Sequence, residues 1–172
     1  MKDYAGDGID IQTAMVRDVK AHPDPSRTPR SIVWDDEPLW AAFGIGVPKE
    51  GRFRIEFLSE AREPYQGVDI KVEDGAITLL GGESVGTLRT WNDPRYEKAV
   101  EYSYYSGAGM LKVWNVYYRP WPDGQPTVEK WTGNAGFRVE QEADCRWIFR
   151  CSSGASRSPD FNQLVFRLMI KQ

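Results

Sequence analysis

From Ile32 onward the chain reads as β, returning to short runs of alternating apolar and polar residues closed by a turn signal, most cleanly from Arg52. Phe53, Ile55 and Phe57 alternate with Arg52, Arg54 and Glu56. Side chains on an extended chain point to opposite faces at every second residue, so this run is a strand with one buried and one solvated face. Val68-Asp69-Ile70-Lys71-Val72 repeats it, and Asp74-Gly75 is a strong two-residue hairpin signal into a strand over 76–80. Gly81-Gly82 leads into a strand over 85–91, Asn92-Asp93-Pro94 into 99–105, and Gly107-Ala108-Gly109 into 110–119. Further strands are expected over 137–140, 146–150 and 163–171. About nine or ten short strands with frequent turns, and no strand–helix alternation, predict an all-β fold. The expected architecture is an antiparallel β-sandwich, or one closing toward a barrel.

The N-terminal segment differs. Ile9, Thr13, Val16 and Val19 fit one face of a short helix that Asp10 would cap, although Ile9 and Ile11 also alternate as in a strand. Residues 21–31 carry three prolines and read as a linker or long loop. At 172 residues the chain suffices for a single domain, with 1–31 as extension and linker and 32–172 as the sandwich.

Composition narrows the function classes. The chain is 41% hydrophobic and 27% charged, within the range of packed globular proteins. Its net charge of −3 gives no basic excess for gripping nucleic acid phosphates. There is no apolar window long enough for a membrane-spanning helix, and Met1–Gln12 lacks the basic start and apolar run of a secretory signal. A cytoplasmic location is expected, with release from the cell left open. Cys145 and Cys151 would lie roughly 20 Å apart on a continuous strand, so they are expected as free thiols.

Catalytic constellations are sparse. The sole histidine, His22, sits in the proline-rich segment and is a poor base for a nucleophilic triad. One histidine and two cysteines do not make a zinc site. The Gly81–Gly86 stretch lacks the lysine of a phosphate-binding loop. Glu97, Glu101, Asp123 and Glu129 lie near an aromatic-rich region, but nothing in the sequence sets two of them across a cleft as a glycosidase requires. Asp35-Asp36-Glu37 lacks the spacing of a calcium loop and reads as a solvated turn. The expectation is a non-enzymatic protein with no cofactor and no metal.

The aromatic residues carry the positive signal. Residues 102–121 hold Tyr102, Tyr104, Tyr105, Trp114, Tyr117, Tyr118 and Trp121. Trp114, Val116 and Tyr118 share one strand face, opposite Val113, Asn115 and Tyr117. Trp114, Trp147 and Phe149 are expected mainly in the core. Tyr105, Tyr117, Tyr118 and Trp121, near turns and ends, are candidates for exposure, where a ring can stack on a pyranose or sit among lipid headgroups.

Gly81-Gly82 followed by Gly86-Thr87-Leu88-Arg89 resembles a glycine-rich segment of the fungal fruit-body lectins. The strand over 99–105, Lys112-Val113-Trp114 and the last three predicted strands are similar to that family's later strands. Ala99-Val100, Ser103 and Trp114-Asn115-Val116 also resemble the actinoporins, pore-forming toxins with the same sandwich. The resemblance covers roughly residues 65–170. It implies two sheets, no catalysis, and glycan binding in clefts between strands. The lectins' Ser-Gly falls on Gly82 and Glu83, and their His-Asn pair falls near Tyr105 and Ser106. Their Asp-Ile-x-Thr falls on Val116, Tyr117 and Arg119. With Trp121 added for its ring, the expected contacts are Gly82, Glu83, Tyr105, Ser106, Tyr117, Arg119 and Trp121. The expected partner is a glycan or glycoconjugate, and homo-oligomerisation is left open. The alternatives are an actinoporin-like protein acting on membrane lipid headgroups, or an inhibitor or immunity-type module docking a protein partner.

Overall fold

The computed structural model describes residues 1–26 and 28–171. Its strands are β1 (Ser31–Trp34), β2 (Glu37–Trp40), β3 (Phe43–Gly46), β4 (Glu50–Phe57), β5 (Gln66–Val72), β6 (Gly75–Thr78) and β7 (Ser84–Val85). They continue as β8 (Thr87–Trp91), β9 (Ala99–Ser106), β10 (Met110–Arg119), β11 (Thr127–Glu129), β12 (Gly136–Ala143), β13 (Arg146–Ser152) and β14 (Leu164–Lys171). One nine-stranded sheet runs β1-β2-β12-β13-β14-β4-β9-β6-β7, and a five-stranded sheet contains β11-β10-β5-β8 with β3 also on β10. Every named strand pair is antiparallel. The sheets remain open at both ends, so the fold is a sandwich and not a barrel.

The alternation read in the sequence builds the core. Phe53, Ile55 and Phe57 of β4 face inward, as do Phe166, Leu168 and Ile170 of β14. Across the sandwich they meet Val68, Ile70 and Val72 of β5, Leu88 of β8, and Leu111 and Val113 of β10. Phe149 and Phe166 stack in this layer with centroids 4.7 Å apart. Burial of each such side chain stabilises the fold by about 1.5–3 kcal/mol.

Local turn signals were right about reversal and wrong about partner. The hairpin expected at Asp74-Gly75 does not form, because β5 belongs to the five-stranded sheet and β6 to the nine-stranded one. Asp74 takes the left-handed conformation at φ +51° and the chain crosses between sheets. Gly75 then lies so close to the Tyr105 carbonyl that a Cβ there would collide with it. The single strand expected over 85–91 is likewise divided at Gly86, with β7 in one sheet and β8 in the other. β11 and the last residues of β12, Gln141–Ala143, were not anticipated, while β13 begins at Arg146 as expected, after Cys145 has turned the chain at φ +58°.

The N-terminal helix forms and the strand alternative does not. Helix α1 spans Ile11–Ala21, and the Asp10 carboxylate accepts the Thr13 amide at 2.8 Å. Its docked face is not the expected one. Ile11 and Ala14 are buried with Tyr4, Ile32, Trp34 and Leu39 in a second cluster, and Asp18 accepts the Tyr4 hydroxyl at 3.1 Å. Val16 and Val19, expected inside, are 46% and 56% exposed. The helix start is tied to the 132–135 loop: Asn134 Oδ1 accepts the Ile11 amide, and Gly133 exchanges hydrogen bonds with Gln12. The segment read as an extension is therefore packed against the sandwich. No helix among the described residues is long and apolar enough to cross a membrane.

Candidate functional site

The residues expected to bind ligand fall in separate places. Gly82 and Glu83 lie in the exposed turn before β7, where Gly82 adopts φ +88°. Tyr105 is 50% exposed on β9, beside Glu50, Arg52, Thr78 and Ser103. Ser106 is fully buried; its hydroxyl donates to the Glu73 carbonyl and accepts the Met110 amide, bracing the crossing into β10. Tyr117 is also fully buried, because its position on β10 faces the other sheet, and its hydroxyl pairs with Thr132 Oγ1 at 2.7 Å. Both side chains are thus committed to internal bonds, contrary to the expectation of ligand contact. Arg119 and Trp121 are at the far end of β10, the guanidinium 4.2 Å from the indole centroid. Trp121 Nε1 donates to Thr127, which in turn donates to Glu129. No single cleft gathers these seven positions.

The outer face of the five-stranded sheet gathers a different set. Cross-strand register places Thr87, Lys71 and Lys112 in one row and Arg89, Asp69 and Trp114 in the next. A third row brings Trp91, Gly67 and Val116 together, with Tyr65 stacked on Trp91 at 4.5 Å. On the free edge of β10, β3 takes Met110–Val113 and β11 takes Tyr117–Arg119, leaving Trp114–Val116 without a ladder partner there. Trp131, from the 130–135 loop, packs against Trp114 with centroids 5.4 Å apart. These elements enclose a pocket of about 570 Å³ lined by Asp69, Lys71, Arg89, Lys112, Lys130 and the two tryptophans, among others.

Two features set this pocket apart from an ordinary solvated sheet face. The first is a buried acid. Asp69 is 1% exposed and accepts Arg89 through two bonds of 2.8 and 2.9 Å and Trp114 Nε1 at 3.1 Å. The paired carboxylate raises the Arg89 pKa further above its ordinary value, and the bonds fix the guanidinium and the indole in one geometry. The second is Trp131. It holds φ +59°, a left-handed conformation that is unfavourable for a bulky side chain by about 1 kcal/mol or more. Its Nε1 donates to the Ala41 carbonyl at 3.0 Å, and the ring remains 42% exposed. A strained, anchored and exposed indole is a feature that packing alone does not require.

The electrostatics are cationic within an acidic chain. Lys71, Arg89, Lys112 and Lys130 face the pocket. Asp69 compensates Arg89, and Glu73 bridges Lys112 at 3.0 Å and Lys71 at 3.7 Å. The Lys112 ammonium holds the Glu73 carboxyl below its ordinary value, so it stays ionised. Lys130 makes no ion pair among the described residues. Its ammonium lies 5.0 Å from the Trp114 centroid and 4.5 Å from that of Trp131. Four cations against two carboxylates leave the pocket positive, with donors that match a carboxylate or sulfate.

The arrangement offers charged donors beside an exposed aromatic ring. No histidine or paired acids line the pocket, and no cluster among the described residues could hold a metal ion. Trp114 is in the core as expected, with its Nε1 turned to Asp69, whereas the sequence singled out none of Asp69, Lys71, Arg89, Lys112, Lys130 and Trp131 for binding. The signal available was the polar residue at every second position of two strands, Asp69-x-Lys71 and Thr87-x-Arg89, with Lys112 two residues before a tryptophan on a third. Comparison with protein-family models, with curated proteins and with solved structures finds no match to this chain.

Proposed function

We propose that this chain is a non-enzymatic carbohydrate-binding protein, that its site is the pocket on the outer face of the five-stranded sheet, and that its ligand is an acidic sugar. The observation that carries this reading is Lys130, whose ammonium stands over both Trp114 and Trp131 at the mouth of a cationic pocket. An exposed indole offers a flat apolar face to the C–H face of a pyranose. The neighbouring ammonium groups supply charge-assisted donors to a carboxylate or sulfate on that ring.

A glycan array carrying neutral, uronate-containing and sulfated oligosaccharides tests this, followed by calorimetry on the best binder. Acidic glycans are expected to bind and neutral ones to bind at least tenfold more weakly. Trp131→Ala and Lys130→Ala should each weaken binding about tenfold or more, the latter with a shallower salt dependence. Binding to no glycan refutes the reading, as does equal binding of neutral and acidic forms. Leakage from liposomes or capture of a stoichiometric protein partner without glycan binding would favour the other two classes.

A further inference from the structure

Trp131 has a second face. It also borders a groove of about 410 Å³ lined by Met15, Val16, Val19, Ala41 and Ala135, with Gln12 and Lys20 beside them. The helix explains why the groove is apolar. Ile11 and Ala14 dock α1 onto the second cluster and Met15 packs partly against it, whereas Val16 and Val19 lie one turn apart on an outward face. Val16 and Val19 belong to neither hydrophobic cluster among the described residues and stay largely exposed. A neighbouring hollow of about 330 Å³ shares Met15, Val19 and Ala41 with the groove, and shares Pro29 and Ala42 with the cationic pocket. The apolar groove and the cationic pocket are therefore neighbours: Trp131 lines both, and the hollow beside them shares residues with each.

We infer that the ligand is an acidic sugar carrying an aliphatic aglycone, with the charged ring held at Lys112, Lys130 and Trp131 and the chain lying along Met15, Val16 and Val19. This rests on the carbohydrate reading above and extends it to a second subsite. Charge complementarity sets the polarity of the ligand: the anion belongs on the strand side, where Lys71, Arg89, Lys112 and Lys130 line the pocket against the single Lys20 of the groove, and the alkyl chain on the helix side. A free oligosaccharide leaves the groove beside the helix unfilled. A neutral alkyl compound leaves the cations unmatched.

Calorimetry with methyl, butyl and octyl β-D-glucuronide and with octyl β-D-glucoside, all below micelle-forming concentrations, separates the two claims. Affinity for the glucuronides is expected to rise by on the order of threefold per methylene until the groove is filled. Val16→Asp and Val19→Asp, at exposed helix positions and with circular dichroism used to check the fold, should abolish the chain-length dependence while methyl glucuronide binds as before. Equal binding of methyl and octyl glucuronide overturns this inference and leaves the sugar reading standing. Chain-length dependence that survives in both helix variants also overturns it. Equal binding of octyl glucoside and octyl glucuronide, or no binding of any probe, overturns both.

Discussion

Replacing Asp69 by Asn should move stability and anion affinity in opposite directions. The carboxylate is almost fully buried and accepts three bonds, two from Arg89 and one from Trp114. Asn keeps the shape but has one acceptor oxygen. With that oxygen toward Trp114 Nε1 and Arg89 Nη2, the amide nitrogen faces Arg89 Nε, and one charge-assisted bond becomes a donor–donor contact. A hydrogen bond to a charged group contributes about 1.5–3 kcal/mol, and breaking a wholly buried pair costs about 3–5 kcal/mol. The Arg89 side chain is 42% exposed, so water recovers part of its solvation. The expected loss is therefore about 2–3 kcal/mol, read as a lower urea midpoint at unchanged slope. The pocket meanwhile gains one positive charge. At about 6 Å in a solvated pocket that is worth about 0.7 kcal/mol, or roughly threefold tighter binding of an acidic glycan. A stability loss below about 0.5 kcal/mol would show that the Asp69 network is dispensable. Loss of acidic-glycan affinity in the folded variant would show that Asp69 is needed as a contact or brace, against the reasoning here.

Two further measurements test other parts of the structure. Arg95, through its guanidinium and its amide, and the Tyr65 hydroxyl all donate to Asp93 and hold its carboxyl far below the ordinary value of 3.8. A depressed folded pKa gives stability that is present above pH 3.8 and lost as pH falls through the folded value. The melting temperature of Asp93→Asn should thus lie below that of the parent protein at pH 6, with the gap narrowing toward pH 2; a gap that stays constant or widens contradicts this. Cys145 is exposed in its turn, whereas Cys151 is fully buried and its thiol pKa is pushed well up by burial. Ellman's reagent should therefore titrate one thiol in the native protein and two in guanidinium, and two fast native thiols would place Cys151 elsewhere.

What the sequence revealed was local. Alternation at Phe53, Ile55 and Phe57 identified β4 and its buried face because strand periodicity needs no knowledge of the partner. Asp10 identified the helix start for the same reason. Asp74-Gly75 shows where local reading stops: a left-handed turn residue reverses the chain, but nothing within it says which sheet receives the next strand. The face of α1 was misread because Val16 and Val19 are the more apolar stripe, while docking is decided by what lies opposite Ile11 and Ala14. The pocket was beyond reach for a related reason. Asp69, Arg89 and Trp114 are 20 and 45 positions apart, and only the register of β8, β5 and β10 brings them into one row.

The position of β14 has a consequence for how this protein is made. It lies between β13 and β4, in the interior of the nine-stranded sheet. Until Leu164–Lys171 leaves the ribosome, that sheet exists only as two unconnected halves, β1-β2-β12-β13 and β4-β9-β6-β7. At about 5–20 residues per second, the edge of β4 that β14 will cover waits on the order of 5–20 seconds for its partner. Phe53, Ile55 and Phe57 emerge long before Phe166, Leu168 and Ile170 complete the layer they share. Nascent chains of this protein therefore expose one edge of β4 and its apolar face until β14 is made, and chains that stall before Leu164 are expected to aggregate.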